Sequence, residues 1–323
     1  MKAKLPFPGM NVEIELSSLC QLKCPFCRTG GLRQQYPQVD RGFMDMDTIK
    51  TILDKVTISF AQLFNWGEPL MNPDVVSLVT EVARRGIKCE LGTNLQNLAP
   101  DKAFGLVQSG LTRIRISCDG ITQESYEKYR RGGNLQLLLH NAEMLVDAKK
   151  RNNNQGPELL FQIVVNKWNY HEIGQYEQFA KSHGADDVTF SGLCAMTPEG
   201  WHLHKEWACS DKQYSCLAVG NATSCYTPWD RLSFDWNGDI YNCCNPVGLT
   251  RYKLGNIHEV ANIEDIWNGE KMRYIRRYCS SKLAENVSFD IPCYRCFGVF
   301  PSEDKKKSDE YYSCFLAMEQ EGK

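Results

Sequence analysis

The sequence has no apolar stretch of about 18 residues of the kind a membrane-spanning helix needs. Its first residues pass from Lys2 and Lys4 straight to Pro6-Phe7-Pro8-Gly9 without an apolar signal core. Neither a membrane span nor a secretory leader is expected, and the chain reads as cytoplasmic with no membrane partner. It lacks a surplus of charge as well: 37 Lys and Arg against 39 Asp and Glu give a net charge of −2, so no nucleic-acid partner is expected. Internal repeats and low-complexity tracts are absent. With 42% apolar and 24% charged residues the composition excludes disorder, and 323 residues at about 150 per domain predict roughly two domains.

What the sequence does have is cysteine, 15 in all. The number is odd, no signal core precedes them, and a chain of this length needs no staples, so disulfides are the poorer use. Soft-metal ligation is the better one.

From about Asn11 to Gly192 short apolar or β-branched runs alternate with helical patterns in six strand-helix units. The strand runs are Val12 to Leu16, Thr57 to Asn65, Ile87 to Leu91, Thr112 to Cys118, Leu159 to Val165 and Val188 to Phe190. In the first, Val12-Glu13-Ile14-Glu15-Leu16 alternates with period two, which gives a strand with one more polar face. Helical stripes follow at Val75, Leu78, Val79 and Val82, with Gly86 at the left-handed cap position. Others lie at Leu135, Leu138, Leu139, Ala142 and Leu145, and at Ile173, Tyr176 and Ala180. Such alternation implies parallel strands with right-handed crossovers, arranged as a closed or nearly closed barrel or as an open doubly wound sheet. Both place ligand groups just past the carboxyl ends of strands.

After Gly192 the rhythm stops. Cys194 to Ser224, with Trp201, His202, His204 and Trp207, reads as a connecting loop or lid. From Cys225 a cysteine-bearing region begins, with a hairpin expected at Asn237-Gly238 and a short helix near Ile263 to Tyr274. The expected division is 1–192 for the barrel, 193–224 for the loop, 225–300 for a small metal-organised domain and 301–323 for a tail whose charged run Glu303 to Lys307 is solvated.

Cys20, Cys24 and Cys27 form CxxxCxxC directly after the first strand, at the ligand end. Zinc normally wants a fourth ligand nearby, and none is adjacent. A cubane iron-sulfur cluster usually takes four cysteines, so three leave one iron open to a small molecule. This spacing, with the aromatic Phe26 before the last cysteine, resembles the radical S-adenosylmethionine (radical SAM) enzymes. The resemblance covers about residues 10 to 192 and implies an α/β fold, a partial (β/α)6 TIM-like barrel. It also implies a 4Fe-4S cluster whose open iron chelates S-adenosylmethionine and delivers the electron that yields a 5′-deoxyadenosyl radical. The family's Gly-Glu element is matched by Gly67-Glu68, whose backbone and carboxylate would receive the methionine ammonium. Ser117-Cys118-Asp119-Gly120 matches its Ser-x-Asp-Gly. By the same resemblance Ser117 and Arg130 would hold the methionine carboxylate, with Asn94 and Gln162 around the ribose.

Cys225, Cys243, Cys293 and Cys296 come next, the last two as CxxC, and twelve residues separate Cys225 from Gly238 and four more Gly238 from Cys243. This resembles the SPASM/Twitch extension of many radical SAM enzymes and implies one auxiliary 4Fe-4S cluster, because no cysteine follows Cys296 until Cys314. A zinc ribbon is the alternative. Cys244 can replace Cys243, since neighbours on a strand point oppositely. Cys89, Cys209, Cys216 and Cys279 read as plain buried or spare thiols. Cys118, Cys194 and Cys314 are possible hydrogen donors for an epimerase.

The resemblance implies an oxidoreductase like the dehydrogenases of aminocyclitols and sugars, acting on a small molecule and supplied by a flavodoxin or ferredoxin. A peptide-modifying enzyme competes; leader-peptide enzymes often carry a recognition domain before the barrel, and here the first strand starts by about residue 11. A non-catalytic metal protein would leave Glu68 and the Ser-Asp pair unexplained. The catalytic base and the substrate ligands have no signature in the sequence.

Overall fold

The structure is a computed structural model that describes residues 9–153, 155–193, 203, 206–211, 214, 227–279 and 293. Six strands, β1 (Met10–Ile14), β2 (Ile58–Gln62), β3 (Lys88–Thr93), β4 (Arg113–Ser117), β5 (Glu158–Val165) and β6 (Asp187–Gly192), pair in parallel with their sequence neighbours. A doubly wound sheet reverses its strand order at a switch point. This order never reverses, so the sheet is the partial barrel of the two alternatives. The strands depart from the sequence expectation by a few residues at their ends, where chain ends of strands turn into the ligand-bearing loops.

Helices α1 (Met46–Lys55), α2 (Val75–Arg84), α3 (Pro100–Gln108), α4 (Gln123–Tyr129), α5 (Leu135–Arg151) and α6 (Ile173–Ser182) fill the crossovers. Asp45 caps α1, its side chain accepting from the Thr48 N–H at 2.8 Å, and Asn134 caps α5. Met10, Val12 and Ile14 join one apolar cluster with Ile49, Ile52, Leu78 and Val79, so that face of β1 meets the helices. Alternation then turns Asn11, Glu13 and Glu15 to the barrel interior. The two carboxylates of this polar face are buried: Glu13 is 6% exposed and accepts from Arg231 Nη1 and Ser233 Oγ, both at 2.6 Å.

Those two partners lie beyond the barrel. After α7 (Thr227–Asp230), β7 (Arg231–Phe234) pairs parallel with β1, β8 (Asp239–Tyr241) pairs antiparallel with β7, and β9 (Gly255–Asn256) follows β8. The expected hairpin is present, with Gly238 at φ 84° in its turn. It forms no separate sheet, however. It extends the barrel sheet to nine strands, in the order β6-β5-β4-β3-β2-β1-β7-β8-β9. The helix expected near Ile263 is two helices, α8 (Ile263–Trp267) and α9 (Glu270–Cys279). Lys55 of α1 donates to the carbonyls of Ile257 and Val260, both at 2.8 Å, which ties this region to the barrel wall. No helix among the described residues is long and apolar enough to cross a membrane.

Candidate active site at the carboxyl ends of the strands

The loop after β1 closes on itself. The N–H groups of Cys27 and Gly31 donate to the Cys24 carbonyl at 3.1 and 2.9 Å, and those of Gly30 and Leu32 donate to the Cys27 carbonyl. A side chain at Gly31 would put its Cβ 2.8 Å from Pro25 Cα and 2.9 Å from the Cys24 carbonyl oxygen, so the return leg must be glycine. Phe26 is buried, stacked on Tyr129 at 6.1 Å and edge-on to Trp207 at 5.7 Å.

Two of the three sulfurs have a side-chain donor against them: Asn94 Nδ2 lies 3.5 Å from Cys20 Sγ and Arg130 Nη1 lies 3.9 Å from Cys24 Sγ. Thr29 Oγ1 lies 3.0 Å from Cys27 Sγ and gives its own hydrogen to the Trp66 carbonyl at 2.8 Å. Burial pushes the free Cys20 thiol up to about 12 and that of Cys24 up to about 11. Thiolates here therefore need a cation to form, and donors of this kind stabilise sulfur charge in iron-sulfur sites. Among the described residues no three His, Cys, Asp or Glu side chains close around a single ion. The residues present fit a cluster.

Around this loop the strand ends supply the other expected residues. Glu68 is buried; its carboxylate accepts from Thr93 Oγ1 at 2.6 Å and from the N–H groups of Asn94 and Leu70 at 2.7 and 3.0 Å. Burial raises its pKa against the lowering effect of those bonds. Asn94 thus joins Glu68 to Cys20, and Gln21 Nε2 donates to its side-chain oxygen at 2.8 Å. Ser117 ends β4 directly beside Gln162 of β5, and Gln162 donates to Ser191 Oγ at 2.7 Å. Arg130 is ion-paired with the buried Asp119, whose other oxygen accepts from the Val164 N–H at 2.5 Å. Of the seven expected S-adenosylmethionine residues, Gly67, Glu68, Asn94 and Ser117 lie at or just past strand ends and Gln162 lies in β5 beside Ser117, whereas Phe26 lies in the cysteine loop and Arg130 follows α4, ion-paired with Asp119 and 3.9 Å from the Cys24 sulfur.

Gly67 allows a close backbone approach, and the backbone it meets is that of the β1 loop: a Cβ there would lie 1.9 Å from the Ser17 carbonyl oxygen. Glu15 holds the same turn, its Oε1 accepting from the N–H groups of Trp66 and Gly67 at 3.0 and 3.2 Å. Burial lifts Glu15 to about 7, and burial with the neighbouring Asp239 and Glu15 charges lifts Asp235 to about 8. Glu15, Asp119 as the partner of Arg130, Arg28 and Trp66 are the residues sequence reasoning missed. The signal for Glu15 was its place in the alternation of β1, one step past Glu13 toward the ligand end.

In the second cysteine set Cys243, Cys244 and Cys293 are described, while Cys225 and Cys296 lie outside the described residues, as do Trp201, His202, His204, Cys194, Cys216 and Cys314. Cys293 is buried, with Asn242 Nδ2 3.9 Å from its sulfur. Cys118 is fully buried in the apolar cluster that meets the helices, and its thiol donates to the Gly120 carbonyl at 3.4 Å. Cys89 and Cys279 are plain buried thiols.

Residues 14–180 match the Radical SAM superfamily and residues 225–297 match SPASM, an iron-sulfur cluster-binding domain. The first match takes in just over half the chain, and the chain belongs to the radical SAM superfamily. It is a member with the SPASM extension, so the first domain implies a 4Fe-4S cluster with S-adenosylmethionine and the second implies auxiliary iron-sulfur binding. The tungsten-containing aldehyde ferredoxin oxidoreductase cofactor-modifying protein of Pyrococcus furiosus is 25% identical over 191 residues, 58% of this chain and 52% of its own. The chain spans about half the length of the curated relatives it matches. In fold it resembles Streptococcus suis SuiB bound to precursor peptide SuiA, with TM-score 0.63, 16% identity and coverage of 92% and 71% of the two chains. It also resembles BtrN in complex with AdoMet and 2-DOIA, with TM-score 0.53, 17% identity and coverage of 88% and 96%.

Proposed function

We propose that the chain is a radical SAM oxidoreductase that removes hydrogen from a hydroxyl-bearing small molecule of the sugar or aminocyclitol class. In this reading Cys20, Cys24 and Cys27 hold the first 4Fe-4S cluster, and Cys225, Cys243, Cys293 and Cys296 in the unit 225–300 hold the second. When bound, the first cluster with S-adenosylmethionine supplies the adenosyl radical, and the second supplies an electron acceptor.

The observation that carries the oxidative reading is the contact between the two cysteine segments. Cys27 Sγ lies 3.5 Å from the Trp66 carbonyl oxygen, and Trp66 Nε1 donates to the Cys244 carbonyl at 3.0 Å. A single residue spans from one segment to the other, the arrangement an enzyme needs if it starts a reaction at one site and collects an electron at the other. The chain's own groups then divide the work. Glu68, steadied by Thr93, offers its carboxylate to the methionine ammonium. Asn94 and Gln162 address the ribose, and Ser117 and Arg130 the methionine carboxylate. Phe26, under Trp207 and Tyr129, keeps water from the cysteine loop. The interior-facing Ser117, Gln162 and Ser191 give the barrel a lining of hydrogen-bonding groups, which suits a polyol. A flavodoxin or ferredoxin would supply the first electron.

The test is isotopic. Reconstituted enzyme offered carbon-deuterated sugars and aminocyclitols should move deuterium into 5′-deoxyadenosine and release a product two hydrogens lighter. Transfer from a precursor peptide with none from any polyol would replace this reading with peptide modification. A product of unchanged mass carrying solvent deuterium would make the enzyme an epimerase.

A further inference from the structure

Arg28 follows the last cysteine of the first loop, and its side chain is 2% exposed. A guanidinium so deeply buried is costly unless something answers its charge. No carboxylate forms an ion pair with it among the described residues. Instead it lies over the Trp66 ring at 4.1 Å and within 5.6 Å of the Tyr36 ring, and Nη2 donates to the Asn245 carbonyl at 2.5 Å. Nη1 is buried without a partner among the described residues. The groups whose charges act on it are Tyr36, Glu15, Cys27 and Cys244, so both cysteine segments contribute. Trp66, the ring it covers, is the residue that bonds to Cys244.

We infer that Arg28 is a positioning residue shared by the two cysteine sites, a fixed positive charge between them that raises the reduction potential of each while its stack on Trp66 holds the segments in register. The physical reason is direct: adding an electron makes a cluster more negative, and a nearby cation that stays charged favours that form. An Arg suits the place better than a Lys because it remains charged when buried and its flat group stacks on indole. The inference rests on the cluster assignment of the preceding subsection.

The experiment is a redox titration of the reconstituted enzyme followed by electron paramagnetic resonance, comparing wild type with Arg28→Gln and Arg28→Lys. Gln keeps a donor for Asn245 and loses the charge, and both midpoints should fall by about a tenfold change in the reduction equilibrium, about 59 mV for one electron. Lys can shed its proton when buried and loses the flat stack on Trp66, so its midpoints should fall between those of wild type and Arg28→Gln. If Arg28→Gln takes up less iron, Glu15→Gln gives the opposite perturbation. It preserves an acceptor for the Trp66 and Gly67 N–H groups while removing the negative charge facing Arg28, and at pH 8.5 the midpoints should rise. Midpoints unmoved in fully loaded Arg28→Gln, or in Glu15→Gln where that variant decides, overturn the inference while leaving the cluster assignment intact. A wild-type protein with no iron-sulfur signal would instead overturn the assignment itself.

Discussion

Cys20, Cys24 and Cys27 sit in one short loop whose own backbone bonds fix them, with Thr29 from the same loop, Asn94 from the end of β3 and Arg130 from the end of α4 beside the sulfurs. Cys243 and Cys293 are placed differently: they stand 50 positions apart in sequence, one follows a hairpin strand and the other comes after α9, and Asn242 Nδ2 lies 3.9 Å from the second sulfur. A site held by local bonds survives the loss of a distant element; one assembled by long-range folding depends on whatever closes the loop between its parts. The first site should therefore be the more autonomous, and the second should depend on the first through Trp66 and Arg28.

The largest effect expected is that of Cys24→Ala. It should abolish 5′-deoxyadenosine formation and lower bound iron by about four atoms per chain, the content of one cubane, measured by chromatography and iron assay. Cys293→Ala sharpens the contrast: iron should fall similarly and substrate oxidation should stop, yet 5′-deoxyadenosine should still form without product. Equal loss of soluble protein in both would mean that the cysteines serve only the fold. Gly67→Ala tests the seam between the sites. A Cβ 1.9 Å from the Ser17 carbonyl must displace the turn that carries Trp66 and Glu68. Stability should drop by about 1–3 kcal/mol in chemical denaturation, with 5′-deoxyadenosine formation falling further than the stability loss explains.

Smaller still are the pH effects. Glu15 and Asp235 bind protons more tightly folded than unfolded, at about 7 and about 8. Their contribution is full below their unfolded values near 4.5 and 3.8 and is lost as pH rises through 7 to 8. Asp235→Asn should flatten the decline in stability over that window. Asp45 is lowered by its bonds to Thr48, so its contribution is present above its unfolded value and fades in acid. Asp45→Ala should cost about 1 kcal/mol at neutral pH.

Much of the barrel was legible because local rules governed it: period two in β1, apolar stripes on the crossover helices, and a glycine at φ 77° ending α2 at Gly86. The cysteine loop was legible because its spacing is chemistry written in consecutive residues. The pairing of β7 with β1 was not, since Glu13 and Arg231 are 218 residues apart and no local pattern announces a contact at that range. Nor was the backbone that Gly67 meets, which is the Ser17 carbonyl across the loop. Glu15, Arg28 and Trp66 each look ordinary in sequence. Only their convergence, one carboxylate holding a turn and one guanidinium stacked on that turn's indole, gives them a role.

The central claim is that the three-cysteine loop holds a cluster able to cleave S-adenosylmethionine, and it is tested most directly by anaerobic reconstitution with iron and sulfide, reduction with dithionite and addition of S-adenosylmethionine. The account predicts a brown protein that releases 5′-deoxyadenosine and methionine, with Cys24→Ala releasing none. A colourless protein that binds no iron and leaves S-adenosylmethionine intact would contradict it.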